Sequence, residues 1–206
     1  SEDMVAALSY KSVSPAEPLG ITGFDLGVEL SVMRMENSSL WQKATGSGVG
    51  YLPVPKIAFH KGLPFDIDVG VFYTRVPRVD IELYGAELKY AILAGSALTP
   101  AVAIRAAGTK LKGVEQLDLD TRSLELAVSK GLAMFTPYAG IGRVWGDATP
   151  KNVTAFGTTL PMRKESPSMN RIHAGLNFNV LLGNLVIEAE KTGNNTGASV
   201  KLGIRW

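Results

Sequence analysis

The chain has 206 residues, 46% hydrophobic and 19% charged, ample for one packed core. Its 21 basic and 19 acidic residues leave a net charge of +2 scattered along the sequence, which argues against nucleic acid or another polyanion as a partner. Mean hydropathy is +0.12, yet the longest uncharged central stretch, Tyr90 to Ile104, is broken by Gly95 and Pro100. A spanning helix needs about 20 apolar residues, so the chain has no helical route across a bilayer.

Along the chain, Glu2 to Leu8 offers one or two helical turns, and Ser12 to Gly20 then reads as extended, proline-punctuated backbone. From Thr22 onward the signal is alternation with period two, the mark of strands with one apolar and one polar face. In Thr22–Val32, Phe24, Leu26, Val28, Leu30 and Val32 oppose Asp25, Gly27, Glu29 and Ser31. Val54–Lys61 sets Ile57 and Phe59 against Lys56, Ala58 and His60. Phe65–Thr74 sets Phe65, Ile67, Val69, Val71 and Tyr73 against Asp66, Asp68, Gly70, Phe72 and Thr74. Tyr84–Ile92 alternates too, with Glu87 and Lys89 on its polar face. The preceding Ile81 and Leu83 sit in the other register, which predicts a bulge near Leu83. Ala101–Thr109, Ser123–Ser129, Pro137–Trp145, Asn170–Val180, Leu185–Thr192 and Ala198–Trp206 complete a predicted set of ten strands.

Alternation alone describes both a soluble barrel with an apolar inside and a membrane barrel with an apolar outside. Three observations favour the membrane. Connections alternate between short ones (Lys61–Pro64, Leu181–Asn184) and longer polar ones (36–48, 147–168), as in barrels with short turns on one side and loops on the other. Phe59, Phe65, Tyr90, Phe135, Tyr138, Phe178 and Trp206 fall near the short turns, and Tyr51, Tyr73 and Tyr84 near the opposite ends, which makes two aromatic girdles. The polar faces are rich in Gly, Ser, Ala and Asn, which suits a crowded interior.

The last residues, with Val200, Leu202, Ile204 and Trp206 on one face, resemble the terminal strand of Gram-negative bacterial outer-membrane proteins. That resemblance implies an assembly signal read by the barrel-assembly machinery, a location in the outer membrane, and a signal peptide already removed. It extends at class level over Thr22 to Trp206. The absence of cysteine also suits a chain that crosses an oxidising periplasm. The expected architecture is an antiparallel up-and-down transmembrane β-barrel, monomeric, with both termini periplasmic; residues 1–21 precede it as a lumen plug or a free periplasmic segment.

An outward apolar face makes the other face a lumen. Its expected acids are Asp25, Glu29, Asp66, Asp68, Glu87, Glu125, Glu188 and Glu190. The expected bases are Lys56, Lys89, Arg105, Arg143, Arg171, Lys201 and Arg205, with His60 and His173. A midplane Arg or Lys facing lipid would cost about 2–4 kcal/mol. Inside, the charges form either a structural salt-bridge network or a narrow polar pore selecting small solutes. The leading function is passive or gated passage of such solutes; the competing one is a non-enzymatic barrel displaying loops to lipopolysaccharide, host or partner proteins.

Catalytic readings are weaker. Asp66/Asp68 and Glu188/Glu190 are carboxylates two apart on a strand face, which lumen packing explains without acid–base chemistry. His173 has no serine placed beside it by the pattern. Two His and no Cys argue against zinc, and no cofactor is expected. Asp118 and Asp120 read as part of a polar external loop, and Gly140-Ile141-Gly142 lies on a strand, outside any nucleotide-binding context. The 147–168 connection, with Lys151, Phe156, Met162, Arg163 and Lys164, is the expected recognition loop, its bases suited to lipopolysaccharide phosphates.

Overall fold

The computed structural model describes residues 2–36, 50–76, 81–112, 117–150, 153–155, 158–160 and 164–206. After a short helix, α1 (Glu2–Leu8), come β1 (Phe24–Arg34), β2 (Tyr51–Leu63), β3 (Ile67–Val76), β4 (Ile81–Leu93), β5 (Ala101–Lys112), β6 (Leu117–Ser129) and β7 (Phe135–Pro150). A small hairpin of β8 (Val153–Ala155) and β9 (Thr158–Leu160) follows, then β10 (Ser168–Val180), β11 (Gly183–Thr192) and β12 (Asn195–Arg205). All strands except the hairpin pair antiparallel in chain order, β7 pairs with β10, and β1 pairs with β12 to close a ten-stranded barrel. Closure is in register from Asp25↔Arg205 to Met33↔Gly197. A reciprocal pair of backbone hydrogen bonds between Phe24 and Trp206, 2.7 and 3.0 Å, adds the last rung.

The barrel is inside out relative to a soluble one. Val28, Ile57, Ile141, Ile172 and Leu202 are 55–61% exposed, whereas Arg105, Arg171 and Lys201 are at most 2% exposed. Water would leave that apolar wall unburied on every strand; lipid covers it, and the closed ladder leaves no open edge in the hydrocarbon. Val200, Leu202, Ile204 and Trp206 all face outward. The aromatic levels exist at both ends, with Trp145 joining Tyr51, Tyr73 and Tyr84 at the loop end.

Several sequence expectations change. The register shift in β4 lies between Ala91 and Leu93, not near Leu83. Leu83 stays in regular pairing with Thr74 and Leu111 and points inward, because the lumen there is apolar. Asp118 and Asp120 lie on β6 rather than in a loop, since β6 and β7 extend together, with Asp120 opposite Asp147. The 147–168 connection is correspondingly shorter and holds the β8–β9 hairpin; Lys151, Phe156, Pro161, Met162 and Arg163 fall outside the described residues. Tyr138 is not in the girdle but 4% exposed inside the barrel, because it shares the parity of the inward Thr136 and Gly140.

Candidate functional site: the filled lumen

Of the expected lumen charges, Asp25, Glu29, Lys56, His60, Asp68, Glu87, Lys89, Arg105, Glu125, Arg171, His173, Glu188, Glu190 and Lys201 are buried inside. The Arg205 side chain is 8% exposed at the short-turn end. Two residues are placed elsewhere. Asp66 sits exposed in the turn between β2 and β3, where it and Phe65 take left-handed backbone conformations (φ 58° and 65°), so the strand begins only at Ile67. Arg143 faces outward, because it shares the parity of Ile141 and Trp145 while Val144 points in.

Most wall charges pair with other wall charges. Lys201 meets Asp25 at 2.6 Å, Lys56 meets Glu29 at 3.0 Å and Lys89 meets Asp68 at 2.8 Å, each across neighbouring strands. Two further contacts bridge over a middle strand. His60 on β2 and Glu87 on β4 both lie opposite Gly70 of β3, and the imidazole reaches the carboxylate at 3.1 Å. Arg171 on β10 and Glu125 on β6 both lie opposite Gly142 of β7 and meet at 3.1 Å. Glycine on the middle strand is required: a Cβ at Gly70 would strike the His60 ring, and one at Gly142 would strike the Glu125 side chain. His173 lies between Glu125 (3.4 Å) and Glu188 (3.6 Å), and Tyr138 donates its hydroxyl to Glu188 at 2.5 Å.

The space these charges leave is occupied by the amino-terminal segment. Every residue from Val5 to Ala16 is buried. In chain order the segment runs from the loop end, at α1, down to the short-turn rim, at Leu19. Leu19 donates its amide to Asp68 (3.1 Å), and the amides of Ala16 and Glu17 donate to the Ser129 hydroxyl, both at 3.1 Å. The Arg105 guanidinium donates to the carbonyls of Ser14 (2.5 Å) and Pro15 (2.6 Å), and the Ser12 hydroxyl donates to Glu87 (2.9 Å). Arg171 donates to the Tyr10 carbonyl at 2.5 Å and to the Ser9 hydroxyl. Lys11 pairs with Glu190 at 3.3 Å while capping α1 through the carbonyls of Ala6 (2.9 Å) and Ala7 (3.1 Å). Burial lowers the Lys11 ammonium to about 8, Glu190 opposing the shift and Arg171 reinforcing it.

At the loop end the lining changes character. Met33, Val54, Leu83, Leu111, Leu119, Val144 and Met169 point inward and pack with Val5 and Leu8 of α1 as one apolar cluster. Gly146 of β7 gives Val5 its place, since a Cβ there would strike the valine side chain. Tyr10, Lys11, Ser12, Tyr138 and the inward apolar belt are parts of the site that strand alternation did not single out. The parity of β7 and the inward place of Phe72 were signals for them. Among the described residues no group of three or more His, Cys, Asp or Glu side chains is placed to hold a metal ion.

The lumen is therefore a closed, charge-paired interior with a threaded segment along its axis. No family model matches the sequence, and no curated protein matches it significantly. Among solved structures, the chain is similar to the N-terminal β-barrel domain of Pseudomonas aeruginosa OprF, with TM-score 0.40, 12% identity and coverage of 91% of this chain and 99% of that one. It is also similar to Neisserial surface protein A, with TM-score 0.35, 11% identity and coverage of 88% and 95%. A third likeness is to Ail, the attachment invasion locus protein of Yersinia pestis, with TM-score 0.26, 13% identity and coverage of 89% and 97%. These are likenesses between barrels, and the reading of this chain stands on its own strands.

Proposed function

We propose that the chain is a monomeric Gram-negative outer-membrane barrel, both termini periplasmic, whose lumen is a gated path for small polar solutes closed by residues 2–19. The supporting observation is how charge divides between wall and segment. Lys201–Asp25, Lys56–Glu29, Lys89–Asp68 and Arg171–Glu125 are pairs within the wall. Among the described residues, Lys11–Glu190 at 3.3 Å and Glu17–Arg205 at 3.8 Å are ion pairs between segment and wall, whereas Arg105, Arg171, Asp68 and Glu87 meet the segment through its uncharged carbonyls, amides and hydroxyls. Withdrawing the segment leaves these wall pairs intact and admits water to Arg105, whose acceptors are the segment's Ser14 and Pro15 carbonyls, which limits the penalty of uncompensated buried charge. In this reading the lipid matrix and the barrel-assembly machinery are the chain's partners, and no catalytic role falls to any lumen residue.

The competing reading is a permanently closed barrel that displays its loops. It draws on the apolar cluster around α1, which packs as a protein interior does. Planar-bilayer recording separates the two. Deleting residues 2–19 is expected to convert rare, brief openings into a steady conductance at least tenfold larger in time average. A deleted barrel that folds yet stays electrically silent would reject transport.

A further inference from the structure

Arg143 faces lipid, and its surroundings extend across the strands beside it. On β6, Arg122 is also outward, directly opposite Trp145 of β7 on one side and Gly108 of β5 on the other. Arg143 lies one step toward the short turns, opposite Leu124. The two guanidinium-bearing residues are thus diagonal neighbours, about 7–8 Å apart at the backbone, with Trp145 beside both. Gly108 places no side chain on the flank of Arg122.

Neither arginine makes an ion pair among the described residues. Arg143 donates one hydrogen bond, to the Ser168 hydroxyl at 2.9 Å. Asp147, whose carboxyl is held low first by hydrogen bonds from Ser166 (2.6 Å) and Lys164 (3.3 Å) and only last by Arg122, is engaged by those two neighbours. Lys110, the nearest outward cation on β5, is matched by Asp120 at 4.0 Å. Two guanidinium groups with no ion pair among the described residues, at the edge of a lipid-facing wall, favour a lipid that itself supplies an anion. Below them runs an apolar groove walled by Ile104, Leu124, Leu126, Ile141 and Ile172, continuous with Arg143 at its upper end. A groove for chains under a fork of ten N–H donors matches one kind of molecule: a phosphate monoester carried on acyl chains.

We propose that Arg122, Arg143 and Trp145, with the groove beneath them, form a lipid site that takes one phosphate of a phosphorylated, multiply acylated glycolipid of the lipopolysaccharide class. The arginines clamp the phosphate between them, the indole lies against the sugar at the interfacial level, and an acyl chain follows the groove toward the short-turn rim. This site rests on the reading of the loop end as the outer leaflet. It differs from the basic loop that the sequence singled out, because it lies on the barrel wall at the edge of the apolar band.

The test is a titration of the folded barrel in detergent with diphosphoryl lipid A, phosphate-free lipid A and inorganic phosphate, followed by native mass spectrometry. The intact protein is expected to retain one diphosphoryl lipid A molecule. Removing the phosphates, or combining Arg122→Gln with Arg143→Gln, is expected to weaken binding at least tenfold. Arg143→Lys keeps the charge but loses the two-pronged donor, and is expected to weaken binding by less than the double variant does. Lys191→Gln, which removes an outward cation on β11, leaves binding unchanged. Gel mobility before and after heating verifies that each variant has folded. Equal binding by the double variant, an equal loss in Lys191→Gln, or competition by inorganic phosphate alone would overturn the site. Membrane fractionation tests the underlying reading separately: a chain absent from the outer membrane overturns that reading whatever the titration gives.

Discussion

The two halves of the lumen solve the same packing problem with opposite chemistry. Toward the short turns, wall and segment meet through charge: Arg105 and Arg171 donate to segment carbonyls, and carboxylates take its amides and hydroxyls. Toward the loops, the same strands turn Met33, Leu83, Leu119 and Val144 inward against Val5 and Leu8. The segment's own sequence follows this division, with Val5-Ala-Ala-Leu8 apolar and Ser9 to Ser14 mostly polar. The polar half is specified by direction and partner. The apolar half is specified mainly by shape.

Breaking the charged half should have the largest effect. Arg171→Leu removes the group that holds Glu125, Glu190, Ser9 and Tyr10 together. Loss of one partner from a buried network costs roughly 3–5 kcal/mol. Urea unfolding of the barrel in lipid vesicles measures it; a loss below 1 kcal/mol would mean that the network is slack. The apolar half is probed by Gly146→Leu, which fills the place of Val5. Overpacking costs about 1–3 kcal/mol, and here displacing α1 relieves it, so time-averaged conductance should rise toward that of the 2–19 deletion. A barrel destabilised by that much with α1 still seated would tie the helix to the permanent core. The smallest effect belongs to Asp66→Asn, outside both halves. Asparagine tolerates the same left-handed backbone, so stability should move by less than about 0.5 kcal/mol and ion selectivity not at all.

Much of this was legible along the chain. Strict alternation in β1, β10 and β12 places Glu29, Arg171 and Lys201 inside and Leu30, Ile172 and Leu202 outside, as observed. Where alternation misled, a charge or an apolar side chain had been assigned a face by its chemistry instead of its parity. Arg143 shares the parity of Ile141 and Trp145, and Leu83 that of Glu87 and Lys89. Leu83 points inward without a bulge because α1 provides an apolar partner that no local pattern reveals. Asp66 was lost to a three-residue turn, whose geometry depends on where β2 and β3 stop pairing.

By itself, the sequence determined a barrel of ten strands with lipid outside, because a period of two commits every side chain on a strand to one of two solvents. Only the tertiary structure decided what fills the inside. His60 reaches Glu87 across Gly70 because three strands stand in one register. Lys11 reaches Glu190 because a segment separated from it by almost the whole chain threads the closed wall. Contacts of that kind depend on closure, which no stretch of sequence encodes alone.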